Sequence, residues 1–184
     1  MAYLSEEQLT KMGFKSLGKG VKISEGASIY NADLIEIGDF SRIDDFCVVS
    51  GNVKIGRNVH ITPHCLLAGG IPGLLIEDFA TLAYGVKVFT QSDDYSGATM
   101  TNSTVPKQYK NELMLPVYIG RHSIIGAGAI IMPGVNIAEG NSVGANSLVL
   151  KSTDSWSIYV GSPAKKIKER KKDLLKLEKK FLES

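Results

Sequence analysis

Aliphatic residues recur every six positions along most of this chain. Ile37, Ile43, Val49, Ile55, Ile61 and Leu67 form one run; Ile76, Leu82 and Val88 form a second; Ile119, Ile125, Ile131, Ile137, Val143 and Val149 form a third. Four residues after most of them stands a small or β-branched residue: Ser41, Cys47, Val53, Val59, Cys65, Ala80, Val86, Ser123, Ala129, Val135, Asn141 and Ser147. A period of six fits neither a helix nor the plain alternation of a strand. It predicts a solenoid in which each hexad is one short strand and one turn. The aliphatic side chain points to the axis, and the small residue two before the next one also points inward, where room is limited. Glycine or asparagine near the corners, as at Asn52, Asn58, Gly85, Gly128, Gly134, Gly140 and Asn146, permits a left-handed backbone. Three hexads make one triangular coil, and stacked coils bury a continuous core. A β-sandwich would need alternation and hairpin turns, and neither pattern is visible.

The period is interrupted three times. Ile23, Ile29 and Ile35 keep it but slip by two residues before Ile37. The stretch "AGGIPGLLIED" widens the spacing from Leu67 to Ile76 to nine positions in place of six. From Gln91 to Leu115 the pattern is missing altogether, and a loop of that length in a compact domain points to function or disorder. Outside the repeat, Ser5 to Met12 reads as a short helix with Ser5 as N-cap and Gln8 as its capping-box partner. The tail "SPAKKIKERKKDLLKLEKKFLES" reads as an amphipathic helix with Ile167, Leu174, Leu177 and Phe181 on one face. It is expected to cap the open end of the solenoid and to pair with a neighbour. The expected organisation is an N-terminal helical segment (1–20), an all-β parallel β-helix (21–164) with a long loop at about 91–115, and a C-terminal helix (165–184).

Charge changes the picture little. The net charge is +2, but residues 165–184 carry 9 Lys/Arg against 4 Asp/Glu, so the basic excess belongs to the tail. That tail lacks interleaved aromatics, which argues against a nucleic-acid arm. No apolar run is long enough for a membrane span, and "MAYLSEEQLTKMGF" lacks the basic start and apolar core of a signal peptide. Cys47 and Cys65 match no zinc spacing and no disulfide framework, so both read as small buried residues and a reduced, cytoplasmic setting fits. There is no phosphate-binding P-loop, dinucleotide fingerprint or nucleophile elbow.

Candidate chemistry gathers where the repeat stops. The string "VFTQSDDYSG" places paired carboxylates, Asp93 and Asp94, beside Tyr95, and the insertion also carries Glu112. No histidine lies between Gln91 and Leu115. His60 precedes an inward aliphatic residue and should point outward; His64 and His122 fall at corners. A carboxylate attracts and orients a nucleophile that arrives as an ammonium ion. A free amine is then a strong nucleophile, so positioning counts for more than a strong general base. A hydroxyl, by contrast, needs its proton removed as it attacks. Turn capping by Ser-Asp-Asp and Ser-Gly is the competing role for the two aspartates.

The segment "LPVYIGRHSIIGAGAIIMPGVNIAEGNSVGANSLVLKSTDSWSIYVGSPAKKIKER" resembles the C-terminal signature of the hexapeptide-repeat acyltransferases, in their sugar acetyltransferase branch. The match rests on an IG-x-x-x-x-IG start, a PGV turn, a VGA-x-S step and a closing G-x-PAK. The resemblance implies a left-handed parallel β-helix, a homotrimer, and acetyl-CoA or another acyl-CoA bound in the groove between subunits, with no metal. Pantetheine is thin and needs a narrow groove with exposed backbone. This makes Gly126, Ala127, Ala129, Gly144, Ala145 and Ser147 the coenzyme candidates, with Lys151 and Lys166 for its phosphates. In the family's O-acetyltransferases a histidine near the long loop is the general base, and this chain has none there. "SDDYSG" itself resembles members that act in surface-polysaccharide (lipopolysaccharide) synthesis on nucleotide-linked 4-amino-4,6-dideoxyhexoses. The expected function is therefore N-acylation of such an amino sugar, for example a dTDP-4-amino-4,6-dideoxyhexose. Asp94, Asp93 and Glu112 are the acids; Tyr84, Tyr95, Tyr109 and Lys110 are candidates for the nucleotide. The alternatives are a sugar O-acetyltransferase using His60 or His64 as base, and a non-catalytic or zinc-binding β-helix protein.

Overall fold

The computed structural model describes residues 2–183. The chain forms a left-handed parallel β-helix of about seven turns. Partner residues on successive regular coils lie 18 apart in sequence, as in Ile43 beside Ile61 and Ile119 beside Ile137. Three faces result. Face I stacks Lys22–Ile23, Arg42–Ile43, His60–Ile61, Thr81–Leu82, Ile124–Ile125, Ser142–Val143 and Ser157–Val160. Face II stacks Ser28–Tyr30, the first parts of Val48–Ile55 and Leu66–Ile76, Lys87–Phe89, Ile130–Ile131 and Leu148–Val149. Face III stacks Ser16–Leu17, Ile35–Ile37, the second parts of the same two long strands, Val117–Ile119 and Asn136–Ile137.

The hexad positions fill the axis. Every in-phase aliphatic residue from Ile37 to Val149 is buried, and so is each small residue four positions on, polar Ser41, Ser123, Asn141 and Ser147 included. Only slender side chains fit at the second position because two inward residues flank each corner. Left-handed backbone at Asn58, Gly85, Gly128, Gly134, Gly140 and Asn146 turns the chain there. At one corner the residue differs from the expectation: Gly51, with φ 75°, takes the turn instead of Asn52. A 3₁₀ turn at Ala32–Leu34 absorbs the two-residue slip.

The ends depart from the sequence reading. Helix α1 spans Glu6–Lys11, with the Ser5–Gln8 capping box in place. The sheet already begins at Ser16–Leu17, before residue 21. At the other end, Lys165–Glu169 is a strand, antiparallel to Ser157–Val160, and helix α2 covers only Leu174–Leu182. Ile167 thus sits in a strand, away from the apolar stripe of the helix. The physical reason is the last coil, which leaves unpaired N–H and C=O groups that a further strand satisfies. Nor does α2 cap the open end. Leu174, Leu177, Glu178 and Phe181 line a cavity of about 410 Å³ with Asn58, Phe79, His122 and Ile124, which belong to successive coils. The helix therefore lies along the side of the solenoid.

Both large interruptions leave from the corner between faces II and III. The Gly69–Gly73 bulge stays within the strand Leu66–Ile76. The long insertion rises on an antiparallel ribbon, Gln91–Ser92 against Leu113–Met114, and includes a 3₁₀ turn at Lys107–Tyr109.

Candidate functional site

The insertion holds its acids in different ways. Asp94 Oδ1 accepts the Ser96 N–H at 2.8 Å, while Oδ2 accepts the Thr99 N–H at 3.1 Å and the Thr99 hydroxyl at 2.9 Å. Hydrogen bonds from Ser96 and then from Thr99 hold its carboxyl at about 2, so it stays ionised. The turn-capping role and a ligand role are compatible, because a carboxylate has about four acceptor sites and three are used. Asp93 makes no side-chain hydrogen bond or ion pair among the described residues. Asp93, Asp94, Tyr95 and Thr101 line a small cavity of 180 Å³. Glu112 is not part of it. It lies 3.0 Å from Lys110 Nζ and 3.0 Å from Gln91 Nε2, and the lysine lowers its pKa. Lys110 is 6% exposed in its side chain, and with Gln91 the pair braces the base of the ribbon. Tyr95 is 91% exposed.

The histidines separate into three environments. His122 is buried between the Phe79 ring, at 5.2 Å, and Trp156, with Nε2 2.8 Å from Glu178 Oε2. Burial, with Arg121 beside it, lowers its pKa. His60 points outward on face I, and its Nε2 lies 2.9 Å from Asp44 Oδ2. Asp44 is 2% exposed, and the Arg42 guanidinium binds both its oxygens, at 2.5 and 3.1 Å. This is the only histidine–carboxylate pair among the described residues that faces solvent on a flat face. His64 is exposed at the corner between faces I and II, stacked on Phe46 at 4.9 Å and 16°. Tyr84, 63% exposed, follows at the same corner one coil on.

The coenzyme candidates divide as well. Ala129 is 0% and Ser147 1% exposed; both side chains point into the core and cannot touch a ligand, a correction to the sequence reading. A Cβ on Gly126 would lie 2.5 Å from the Ala145 amide nitrogen, and one on Gly144 2.7 Å from Val160. Close stacking of coils therefore demands glycine at both positions, whatever binds outside. Ala127 and Ala145 stay accessible at the corner. Lys151 is exposed, whereas Lys166 is 2.6 Å from Glu169 and 3.4 Å from Asp154.

Within one chain these groups do not converge. Asp93 and Asp94 hang from the corner between faces II and III, while His64, Tyr84, Ala127 and Ala145 follow the corner between faces I and II. Sequence reasoning passed over Phe46 and Asp44. The signals were a phenylalanine where a corner favours glycine, and an acid after Ile43 where Ile23, Ile61, Leu82, Ile125 and Val143 of the same face are followed by Ser24, Thr62, Ala83, Gly126 and Gly144. Among the described residues no group of three or more His, Cys, Asp or Glu is arranged to hold a metal ion. No described helix is long and apolar enough to cross a membrane.

Comparison with known proteins bears on this arrangement. The family model described as bacterial transferase hexapeptide (six repeats) matches residues 35–69 and 116–151. Over 184 residues, 98% of this chain and 95% of the relative, the sequence is 44% identical to a dTDP-4-amino-4,6-dideoxy-D-glucose acyltransferase of Escherichia coli. The fold superposes with a TM-score of 0.98 on a variant of AntD, an N-acyltransferase from Bacillus cereus, in complex with dTDP and coenzyme A. That match is 46% identical and covers 100% of this chain and 99% of the other. A second AntD variant, in complex with dTDP-4-amino-4,6-dideoxyglucose and coenzyme A, matches with a TM-score of 0.98 at 48% identity, covering 99% of this chain and 98% of that one.

Proposed function

We propose, from the premise that this chain belongs to the bacterial hexapeptide transferase family, that it is an acyl-CoA-dependent N-acyltransferase acting on a nucleotide-linked amino sugar. The acceptor is a dTDP-4-amino-4,6-dideoxyhexose, and the setting is cytoplasmic assembly of surface polysaccharide. The observation that carries this reading is the end-to-end similarity, without a gap in coverage, to an N-acyltransferase that holds dTDP and coenzyme A.

The residues have work to do in that reaction. The ammonium of the sugar is drawn to the anionic pair Asp93–Asp94, and Asp94 keeps its charge at any working pH because Ser96 and Thr99 stabilise it. Once a proton is lost, the amine attacks the thioester carbonyl. The amide C–N bond forms, the C–S bond breaks, and the departing thiolate takes up the further proton that the nitrogen releases. No residue on the insertion need serve as a strong base, which suits a loop without histidine. Ala127 and Ala145 leave the I/II corner low enough for a pantetheine chain, and Lys151 lies on the same C-terminal side for its phosphates. A homotrimer supplies the missing convergence by setting the insertion of one copy beside the I/II corner of the next.

One observation favours a second reading, O-acylation with a histidine base: Asp44 orients His60 as a carboxylate orients a general base. A single assay separates the two. The protein is incubated with acetyl-CoA, and free thiol is followed with dTDP-4-amino-4,6-dideoxyglucose or with the same nucleotide sugar bearing a 4-hydroxyl. Release with the amine alone is expected. Release with the hydroxyl compound would overturn N-acylation and move the chemistry to His60.

A further inference from the structure

The corner between faces I and II carries a feature that the transfer chemistry leaves unused. Successive coils place Phe46, His64, Gly85, Gly128 and Asn146 there, all with left-handed backbone, φ 60°, 65°, 69°, 69° and 53°. Glycine and asparagine adopt this conformation readily, whereas phenylalanine is strained in it. The chain nevertheless puts two rings side by side at the surface, and Phe46 is 63% exposed.

The corner between faces III and I shows the same device in a different state. Phe79 stacks on His122 at 5.2 Å and 8°. There the chain's own C-terminal helix roofs the stack, with Phe181 edge-on to Phe79 at 6.0 Å and Glu178 on His122. No described element covers Phe46–His64. Beyond His64 the rings stop. A Cβ on Gly85 would meet nothing within 4 Å, so about one coil step, roughly 4.8 Å, lies open beside the imidazole, flanked by exposed Tyr84. On the adjoining face I, Lys22, Arg42 and His60 stand in register; Asp44 binds Arg42 and His60, and the Tyr3 ring lies 5.8 Å from Lys22 Nζ and 5.6 Å from the Arg42 guanidinium.

We infer that the Phe46–His64 stack is the platform for the pyrimidine base of the nucleotide-linked acceptor, with its diphosphate toward the Lys22–Arg42–His60 column. The inference rests on the N-acyltransferase reading above. Aromatic platforms bind bases through their π-faces, and the Lys22 ammonium and Arg42 guanidinium beside such a platform suit a phosphate-bearing ligand. The rings lie on the N-terminal side of Gly85, while Ala127, Ala145 and Lys151 lie on the C-terminal side. Donor and acceptor therefore approach the notch from opposite ends, which assigns the rings to the acceptor and not to the adenine of coenzyme A.

The test uses Phe46→Asn and His64→Asn in the full chain. Asparagine already occupies left-handed corners at Asn58 and Asn146, so both variants keep the turn. Each is expected to raise the KM for the dTDP-amino sugar by about tenfold or more and to weaken dTDP in equilibrium titration equally. The KM for acetyl-CoA should stay within about twofold. An unchanged acceptor KM overturns the inference, as does a rise in the KM for acetyl-CoA instead. A fall in the mass measured by light scattering would assign the rings to a second copy and overturn it too. Wild-type protein that transfers, beside variants that match it, sinks this inference alone. Wild-type protein that neither transfers nor binds dTDP sinks the N-acyltransferase reading and this inference with it.

Discussion

At Asp94 three donors converge on one carboxylate, and a neighbouring carboxylate, Asp93, has none among the described residues. Removing charge from either tests whether the pair receives an ammonium ion. Asp93→Asn and Asp94→Asn are each expected to lower kcat/KM for the amino sugar by about 10- to 100-fold, the usual cost of losing a charge-assisted bond. Steady-state kinetics decide it, and two variants with wild-type rates would remove the pair from the mechanism. The pH dependence follows from the sign of the shift. The folded carboxyl of Asp94 lies below its unfolded value, so its contribution is present above about 3.9 and is lost as pH falls through about 2. A profile of kcat/KM between about pH 5 and pH 9 should therefore show no acid limb from Asp94. Asp94→Ala, which also frees the N–H groups of Ser96 and Thr99, should make the insertion more open to proteolysis than Asp94→Asn does.

At the level of elements, α2 is held by electrostatics as much as by its apolar stripe. Glu178 binds both Arg121 and His122, Arg121 also reaches Asp78 at 2.8 Å, and its guanidinium sits 4.8 Å over the Phe79 ring. Arg170, just before the helix, donates to the carbonyls of His122, Gly140 and Asn141 at 2.7, 3.0 and 3.2 Å. Glu178→Ala leaves a half-buried guanidinium and a buried imidazole facing each other, and should cost about 1–3 kcal/mol. In a chain of this size that lowers Tm by about 2–4 °C per kcal/mol. Calorimetry measures the loss, and hydrogen exchange should localise it to Leu174–Leu182 and the Phe79 corner. Protection unchanged in that helix would mean that the lock is elsewhere. The contrast between the hexads and this lock explains what the sequence could disclose. A period of six names the inward side chains because each coil repeats the same geometry, so Ser123 and Asn141 were legible as core despite their polarity. His122 was not, because its burial comes from Glu178 and Phe181, far along the chain. Lys165–Glu169 reads locally as helix, and only the open edge of the last coil makes it a strand. In the candidate site the acids were legible from the break in the repeat, but Phe46 was hidden by occupying a corner normally left to glycine.

On the scale of the whole molecule, the distribution of groups around the triangular section decides how a site can form. The insertion leaves the II/III corner, the ring platform and the low alanines follow the I/II corner, and a rigid coil holds them apart. Copies packed side by side bring one corner of each to a different corner of the next, which a closed ring of three satisfies. Light scattering should accordingly give three times the 19.9 kDa of one chain. Mixing two defective chains makes the sharper test. An Asp94→Asn chain keeps a sound platform, and a His64→Asn chain keeps a sound insertion. If the site is shared, co-refolded equal amounts place a sound insertion against a sound platform at roughly a quarter of the interfaces. With acceptor well below its KM, the mixture should then regain roughly a quarter of wild-type activity, above the mean of the two variants refolded separately. If both groups came from one chain, mixing would add nothing to that mean, and the shared site would be lost even with the trimer intact.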